Sequence, residues 1–315
     1  NPLPYSLVAV MLLVSVVLYS ISKFFFGRNT FTTSGRASMA SQPKTLPRWQ
    51  AIGCTAMFVI ITGLAVVPHF GVIFMSVAGD WYQTVFPSDL TLQHYSDALG
   101  HELTVPSIAN SLKYASLSTL IDIILGVAIA YVVVRTKIPG RGALDAIAML
   151  PLAVPGLVLA FGYLALSSEG EIFHALVPNG NPIFILVLAY AIRRLPYVVR
   201  SAVAGFQQTS PTLEEAAQNL GASPPRALIR ITIPLIMANL IAGGLLAFSF
   251  AMLEVSDSLI LAQEQAHYPI TKAIYSLLSA LGNGPFLASA LGVWAMIFLA
   301  ITLIGASLAL GKKLG

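Results

Sequence analysis

The sequence predicts an all-α membrane protein, a polytopic helix bundle with about seven transmembrane helices. Of its 315 residues, 57% are hydrophobic and only 10% are charged. Soluble domains, in contrast, carry about 25% charged residues. The apolar runs are continuous rather than alternating, which favours helices over a transmembrane β-barrel. The mean hydropathy of +0.81 therefore indicates a chain that is solvated largely by lipid.

Seven apolar runs are long enough to cross the hydrocarbon core, which takes about 20 helical residues. They cover residues 4–22, 51–77, 108–134, 143–166, 182–202, 235–262 and 286–310. The run at 143–166 contains Pro151 and Pro155, so we expect this helix to bend. The single cysteine, Cys54, lies in an apolar run and excludes a disulfide within the chain.

Basic and acidic segments alternate between these runs, and the alternation predicts the orientation. Segments 23–50 and 135–142 contain Lys and Arg but no acid, whereas 78–107 and 167–181 contain acids but no Lys or Arg. We therefore expect the basic segments, the segment 203–234 and the C-terminus to be cytoplasmic. The same rule explains the pI of about 9.2, so nucleic acid is not implied as a partner.

The linker divides the chain unequally. Residues 23–50 are rich in Ser, Thr, Gly, Pro and basic residues, which is typical of a flexible cytoplasmic linker. One helix precedes this linker and six follow it. Since transporters are often built from repeated halves, we interpret 1–22 as the last transmembrane helix of a preceding half. Residues 51–315 then form a complete six-helix domain.

A polar segment at about 203–234 interrupts that domain between its fourth and fifth helices. Thr212 and Glu215 have the spacing of a capping box. Gly221 is placed to end the first helix, and Ser223 followed by Pro224 to begin a second. For an isolated Glu-Ala-Ala triplet, helix capping and helix propensity would be a sufficient explanation. A shaped cytoplasmic hairpin in a membrane protein instead favours a docking role.

The full spacing is more specific than the triplet. Glu215-Ala216-Ala217, three residues, Gly221, nine residues, Ile231 and Pro234 resemble the EAA loop of type I ABC importer permeases. Ile233 stands where the family prefers Leu. Four further segments resemble the ferric-iron, thiamine and phosphonate branch of that family: Asn110–Leu112, Ala130–Tyr131, Pro151–Gly156 and Glu254–Leu259. The resemblance covers residues 51–315 and suggests the C-terminal half of a two-half permease.

The resemblance implies a helix bundle around a pathway shared by two permease halves in the bacterial inner membrane. The second half would come from the same full-length chain or from a homologous one. The EAA loop would form a coupling helix in a groove of a cytoplasmic ABC ATPase dimer. The residues implied in that contact are Glu214, Glu215, Ala216, Ala217 and Gly221. A periplasmic binding protein would deliver the cargo, with Fe(III) favoured and phosphonate, thiamine or polyamine as alternatives.

The chain contains no P-loop, since Gly311-Lys312 lacks the upstream glycine. We therefore expect no enzyme activity and no cofactor here, with ATP and Mg²⁺ bound by the partner ATPase. Two other classes of protein stay open. An intramembrane enzyme would need a pair such as Asp122 and Asp257, and an ion-coupled secondary transporter would leave the hairpin unexplained.

Three acids lie inside apolar runs, where ionisable residues are costly and often functional. Asp122, Glu254 and Asp257 are therefore candidates to line the translocation pathway. The alternatives are a structural ion pair of Glu254 with Lys113, or burial against the other half. We expect Arg193 and Arg194 to snorkel to the cytoplasmic surface. The histidines of the acidic segments show no metal-ligand spacing, so no metal site is expected.

Overall fold

The computed structural model describes residues 46–79, 81 and 84–314, with side chains up to residue 305, and isolated residues between 6 and 17. The predicted helix at 4–22 and the linker at 23–50 lie outside the described residues, apart from those isolated positions and 46–50. The prediction of an all-α chain is confirmed. Within the described ranges the only β pairing is one isolated bridge between Ala78 and Leu90.

The described helices follow one another along the chain. They are α1 (Arg48–Val77), α2 (Gln93–Gly100), α3 (Thr104–Arg135), α4 (Arg141–Met149), α5 (Gly156–Leu166), α6 (Ile183–Gln208), α7 (Thr212–Asn219), α8 (Pro224–Ala227), α9 (Ile233–Leu235), α10 (Met237–Met252), α11 (Ser256–Leu261), α12 (Ile270–Leu278) and α13 (Gly284–Leu314). A π-helical turn, Leu228–Thr232, joins α8 to α9. A 3-10 turn, Leu150–Leu152, extends α4.

The helix predicted over 143–166 bends, as its prolines indicate, with a break at which residues 141–152 meet 156–166 at an angle of 103°. A second break of 77° separates 224–235 from 237–252, at the start of the predicted run 235–262. Pro155 explains the first break, because its ring removes an N–H and disfavours helical geometry in the preceding residue. The predicted single helix over 235–262 is also wrong at its far end, where Leu253–Val255 separate α10 from α11.

Three helices of the described part are long and apolar enough to cross a membrane unbroken, or five spans if each bent pair is counted as one. The three are α1, α3 and α13. Helix α6 has 26 residues, which is about 39 Å of helix, but it carries three arginines. The number of seven transmembrane helices therefore stays a prediction.

The centre of the fold is the packing of α3, α6 and α10 against one another. Glycines allow the close approach. A Cβ at Gly126 would lie 2.7 Å from Cγ1 of Val198, and a Cβ at Gly243 would lie 2.6 Å from Cβ of Ser201. Small residues at such crossings are how membrane helices gain contact without a hydrophobic driving force. These three helices position the charged residues described next.

Candidate functional site

Two arginines near the middle of α6 bind one carboxylate from the α10–α11 connection. Nε of Arg193 lies 3.3 Å from Oε2 of Glu254, and Nη2 of Arg194 contacts the same oxygen more closely. The side chains of Arg193, Arg194 and Glu254 are 19%, 12% and 3% exposed. The ion pairs are therefore largely removed from solvent, where charge–charge interactions are strong and lost partners are costly.

The same groups hold the broken backbone in place. Nη2 of Arg194 donates a hydrogen bond of 2.9 Å to the carbonyl of Phe250, one of the last carbonyls of α10. Oε1 of Glu254 accepts a hydrogen bond of 3.3 Å from the backbone N–H of Asp257, in the first turn of α11. The break in the helix thus exposes polar backbone groups that this ion pair satisfies.

Gly156, the first residue of α5, makes room for Arg193. A methyl group on its Cα would overlap Nη1, Nη2 and Cζ of the guanidinium. Gly156 therefore leaves the space that the guanidinium fills, and an added methyl group would have to displace the end of the Arg193 side chain.

We expect Gly156→Ala to destabilise the protein by about 1–3 kcal/mol, the usual range for overpacking a filled interior. The added methyl group displaces Arg193 and leaves Arg194 alone against Glu254. The measurement is the thermal unfolding midpoint of the purified protein in detergent. Gly162→Ala is the matched control on the same helix, because a Cβ there meets nothing within 4 Å. Equal midpoints for the two variants would contradict the placement of Arg193.

Asp122 on α3 and Asp257 on α11 complete this site. Both residues are fully buried, and no carboxylate oxygen of either has a hydrogen-bond partner. The charge of Arg194 acts on Asp122, and those of Glu254, Arg193 and Arg194 act on Asp257. We call these five residues the charge cluster: Asp122, Arg193, Arg194, Glu254 and Asp257. Buried carboxylates without partners are costly, so their presence needs an explanation beyond packing.

The alternative of an ion pair at Glu254 is found in the structure, but its partners are Arg193 and Arg194 rather than Lys113, which is exposed on α3. Arg193 and Arg194 do not snorkel, because they lie about 15 Å from the start of a helix about 39 Å long and meet an acid there. Adjacent arginines in mid-helix, with an acid in another apolar run, were the sequence signal for this contact.

The predicted hairpin forms at the end of α6. Glu214 is buried and pairs with Arg135, with Nε of the arginine 2.9 Å from Oε1 of the glutamate. Glu215 and Ala216 are exposed, and Ala217 is half-buried. The two adjacent acids therefore have different environments, one turned towards the bundle and one available to a partner.

The capping box predicted at Thr212 is not made. Pro211 already has helical dihedral angles (φ −62°, ψ −22°), so Thr212 lies inside the first turn of α7 and its hydroxyl does not cap the helix. The hydroxyl of Ser210 instead accepts a hydrogen bond of 3.3 Å from the Thr212 N–H. Ser223 does precede α8, but its side chain likewise makes no capping hydrogen bond.

Gly221 ends α7 in the left-handed conformation, as the sequence predicts (φ +91°). The Gly221 N–H donates to the Gln218 carbonyl (2.9 Å), and the Ala222 N–H donates to the Ala217 carbonyl (3.0 Å). This pair of bonds is the Schellman motif, and it stops the helix and turns the chain towards α8.

Within the described ranges, no three His, Cys, Asp or Glu side chains gather closely enough to hold a metal ion. His94 is buried, shares a 2.8 Å hydrogen bond with the Ala78 carbonyl and stacks on Phe286. Its role is structural in this arrangement.

Residues 122–307 match the model of a protein family described as the binding-protein-dependent transport system inner membrane component. The match covers more than half of the chain. It begins at Asp122 and includes the whole hairpin and the rest of the charge cluster. This chain belongs to that family. It is therefore a membrane permease subunit of the ABC importer type and not itself an enzyme.

Curated relatives of the permease include ferric and molybdenum transport permeases. A putative ferric transport system permease, FbpB 1 of Haemophilus influenzae, is 28% identical over 79% of this chain and 38% of its own length. The FbpB protein of Actinobacillus pleuropneumoniae is 26% identical over 79% of this chain and 35% of its own. The molybdenum permease ModB of Escherichia coli K12 is 35% identical over 44% of this chain and 63% of its own. The permease thus spans little more than a third of the ferric relatives.

Solved structures share the fold. A chain of the bacterial ABC transporter that imports the acidic polysaccharide alginate superposes with a TM-score of 0.65 and 18% identity, covering 84% of this permease and 98% of that chain. A chain of the MetNI methionine ABC transporter gives a TM-score of 0.51 with 13% identity, over 67% of this permease and 95% of that chain. The predicted type I ABC importer permease fold is confirmed.

Proposed function

We propose that this permease moves Fe(III) into the cytoplasm, driven by an ABC ATPase dimer and supplied by a periplasmic binding protein. Helix α7 carries the proposal. It is a short helix with an exposed Glu215 and Ala216, held at the end of the bundle whose loops the charge pattern predicts to be cytoplasmic. ATP and Mg²⁺ belong to the partner ATPase in this proposal. A second permease half, packed in lipid beside residues 51–315, completes the pathway.

One observation supports Fe(III) as the cargo. The ferric relatives align over 79% of this chain, whereas ModB aligns over 44%.

A molybdate-like oxyanion is the second candidate, since ModB has the higher identity of 35% over its matched region. Phosphonate, thiamine and polyamine rank below molybdate as cargo candidates, because only the resemblance of sequence motifs supports them. In every case the cargo is a small solute handed over by a separate binding protein.

The coupling role is tested with Glu215→Lys in proteoliposomes that contain the permease, its ATPase and the binding protein. We expect the loaded binding protein to stimulate ATP hydrolysis by wild type, and we expect the variant to lose roughly tenfold or more of that stimulation, within the usual range of coupling between sites. The reason is a reversed charge on the exposed docking face of α7. Association with the ATPase is measured in parallel by co-purification.

The control is Glu102→Lys, an equally exposed charge reversal just before the start of α3, at the opposite end of that helix from Arg135. It should leave ATPase association unchanged. Glu215→Lys behaving as wild type would contradict the coupling role. If no ATPase associates with the permease, a secondary transporter or an intramembrane enzyme would become the better explanation of its function.

The cargo is tested in the same vesicles with binding protein loaded with Fe(III) or with molybdate. Stimulation and uptake with Fe(III) alone support the proposal. Stimulation with molybdate alone would make molybdate the cargo and leave the importer function unchanged. If neither ligand stimulates hydrolysis, both cargo candidates are excluded.

A further inference from the structure

Arg135, the last residue of α3, joins three helices at one guanidinium group. Its Nε donates to Oε1 of Glu214 on α7 (2.9 Å). Its Nη2 donates to both the carbonyl and the hydroxyl of Thr209, the residue that follows α6 (3.0 Å each). Its Cζ lies 5.4 Å from the ring centroid of Phe206, in the last turn of α6. The ends of α3 and α6 and the start of α7 thus meet at this side chain.

These contacts are strong for physical reasons. The side chains of Arg135 and Glu214 are only 10% and 9% exposed, so the pair is poorly screened by water. The planar guanidinium presents donors in a fixed fork, which a lysine does not reproduce. The Thr209 carbonyl lies just beyond α6, where carbonyls lack a helical partner. Removing either charged partner would leave the other buried and unpaired, which is strongly destabilising.

The contact is not a consequence of chain connectivity. Glu214 follows Arg135 by 79 residues. Covalently, α7 is tied only to α6 on one side and to α8 on the other. The link to α3 exists through Arg135, and α3 also carries Asp122, 13 residues earlier or about 20 Å along the helix. A displacement of α7 therefore has a direct mechanical route to the level of the charge cluster.

We propose that Arg135 and Glu214 form a coupling clamp that makes α3, the end of α6 and α7 move as one rigid body. Arg135 is a positioning residue here, because it acts through α7 and touches neither nucleotide nor cargo. The inference rests on the proposed function only in that α7 docks on an ATPase. It assigns the adjacent acids different tasks: Glu214 holds α7 to the bundle, and Glu215 faces the partner.

The first test is the amount of Fe(III) taken up, or of molybdate if molybdate alone stimulates the complex, per ATP hydrolysed in the reconstituted complex. With Arg135→Ala we expect this ratio to fall roughly tenfold, within the usual range of coupling between sites, while the ATPase still co-purifies. Arg135→Lys should rescue little of it, because lysine lacks the fork. Lys137→Ala is the control, since it removes an exposed positive charge two residues away. A ratio equal to that of wild type in Arg135→Ala would overturn the proposal.

A double-cysteine variant tests the clamp if Arg135→Ala does not fold. Arg135→Cys with Glu214→Cys, in a Cys54→Ser background, is joined by a short, reducible bifunctional thiol reagent. A rigid clamp predicts that uptake per ATP is restored when the two cysteines are joined and is lost again on reduction. Failure of the covalent link to restore uptake would overturn the clamp, because a rigid connection would then be shown to be insufficient.

A distance measurement separates the clamp from the cargo assignment. Spin labels at Lys137→Cys, two residues beyond the end of α3, and at Gln218→Cys on α7, both exposed and in the Cys54→Ser background, report the spacing between the end of α3 and α7. The clamp predicts the same distance with and without ATP bound by the partner, and a changed distance once Arg135→Ala is added. A shift with the clamp intact would overturn it. If the wild-type complex hydrolyses ATP but does not import Fe(III), only the cargo assignment fails. If no ATPase binds α7, both the proposed function and the clamp fail.

Discussion

Glu254→Ala is expected to cost the protein about 3–5 kcal/mol of stability, the usual effect of removing one partner from a buried ion pair. The truncation leaves Arg193 and Arg194 buried without their shared carboxylate and frees the N–H of Asp257 at the start of α11. The measurement is the unfolding midpoint in detergent. Glu264→Ala, on a side chain 73% exposed, is the control and should unfold as wild type does.

A triple variant separates stability from transport at the same site. Replacing Arg193, Arg194 and Glu254 together with apolar residues of similar size should recover part of the lost stability, because neither arginine is then left buried without its carboxylate partner. Recovered stability without uptake would support a pathway role for the charge cluster. Recovered stability with full uptake would limit these three residues to a structural role. Wild-type stability of Glu254→Ala itself would contradict the ion pairs described above.

Gly126→Val is the second large effect, and it acts on the contact between α3 and α6. A Cβ at Gly126 would already lie 2.7 Å from the Val198 side chain and 3.3 Å from the Val198 backbone carbonyl carbon. Valine adds two more carbons where no space exists, so we expect a loss of about 1–3 kcal/mol or failure of the helices to pack. The unfolding midpoint and the yield of folded protein measure it.

The matched control for this variant is Gly63→Val on α1, where a Cβ meets nothing within 4 Å. It makes the same change in helix propensity but adds no steric overlap. If the two valine variants unfold at the same temperature, the loss at Gly126 comes from propensity and not from helix packing.

The sequence predicted the uninterrupted helices well. The runs 51–77 and 108–134 differ by at most four residues at either end from α1 (Arg48–Val77) and α3 (Thr104–Arg135). In both cases one apolar stretch forms one helix, so composition carries the information. The run 235–262 failed because composition does not distinguish one long helix from two that meet at a polar residue such as Glu254.

For the candidate site, the sequence predicted which acids are unusual but not which residues they contact. The sequence selected Asp122, Glu254 and Asp257 as unusual, because acids are rare in apolar runs. It did not pair them with Arg193 and Arg194, because arginines in an apolar run also fit side chains that extend to the membrane surface. It also did not distinguish Glu214 from Glu215, because which acid is buried depends on where α3 places Arg135.

The two arginines of α6 also affect how the chain enters the membrane during synthesis. At the centre of an isolated helix each arginine costs about 2.5–3.5 kcal/mol for translocon-mediated insertion. Their shared partner, Glu254, is synthesised about 60 residues later. When α6 first meets the bilayer, its charges therefore have no counter-ion. We therefore expect stable insertion of α6 to wait for the segment that carries α10 and α11, so that these helices enter the membrane cooperatively rather than one by one.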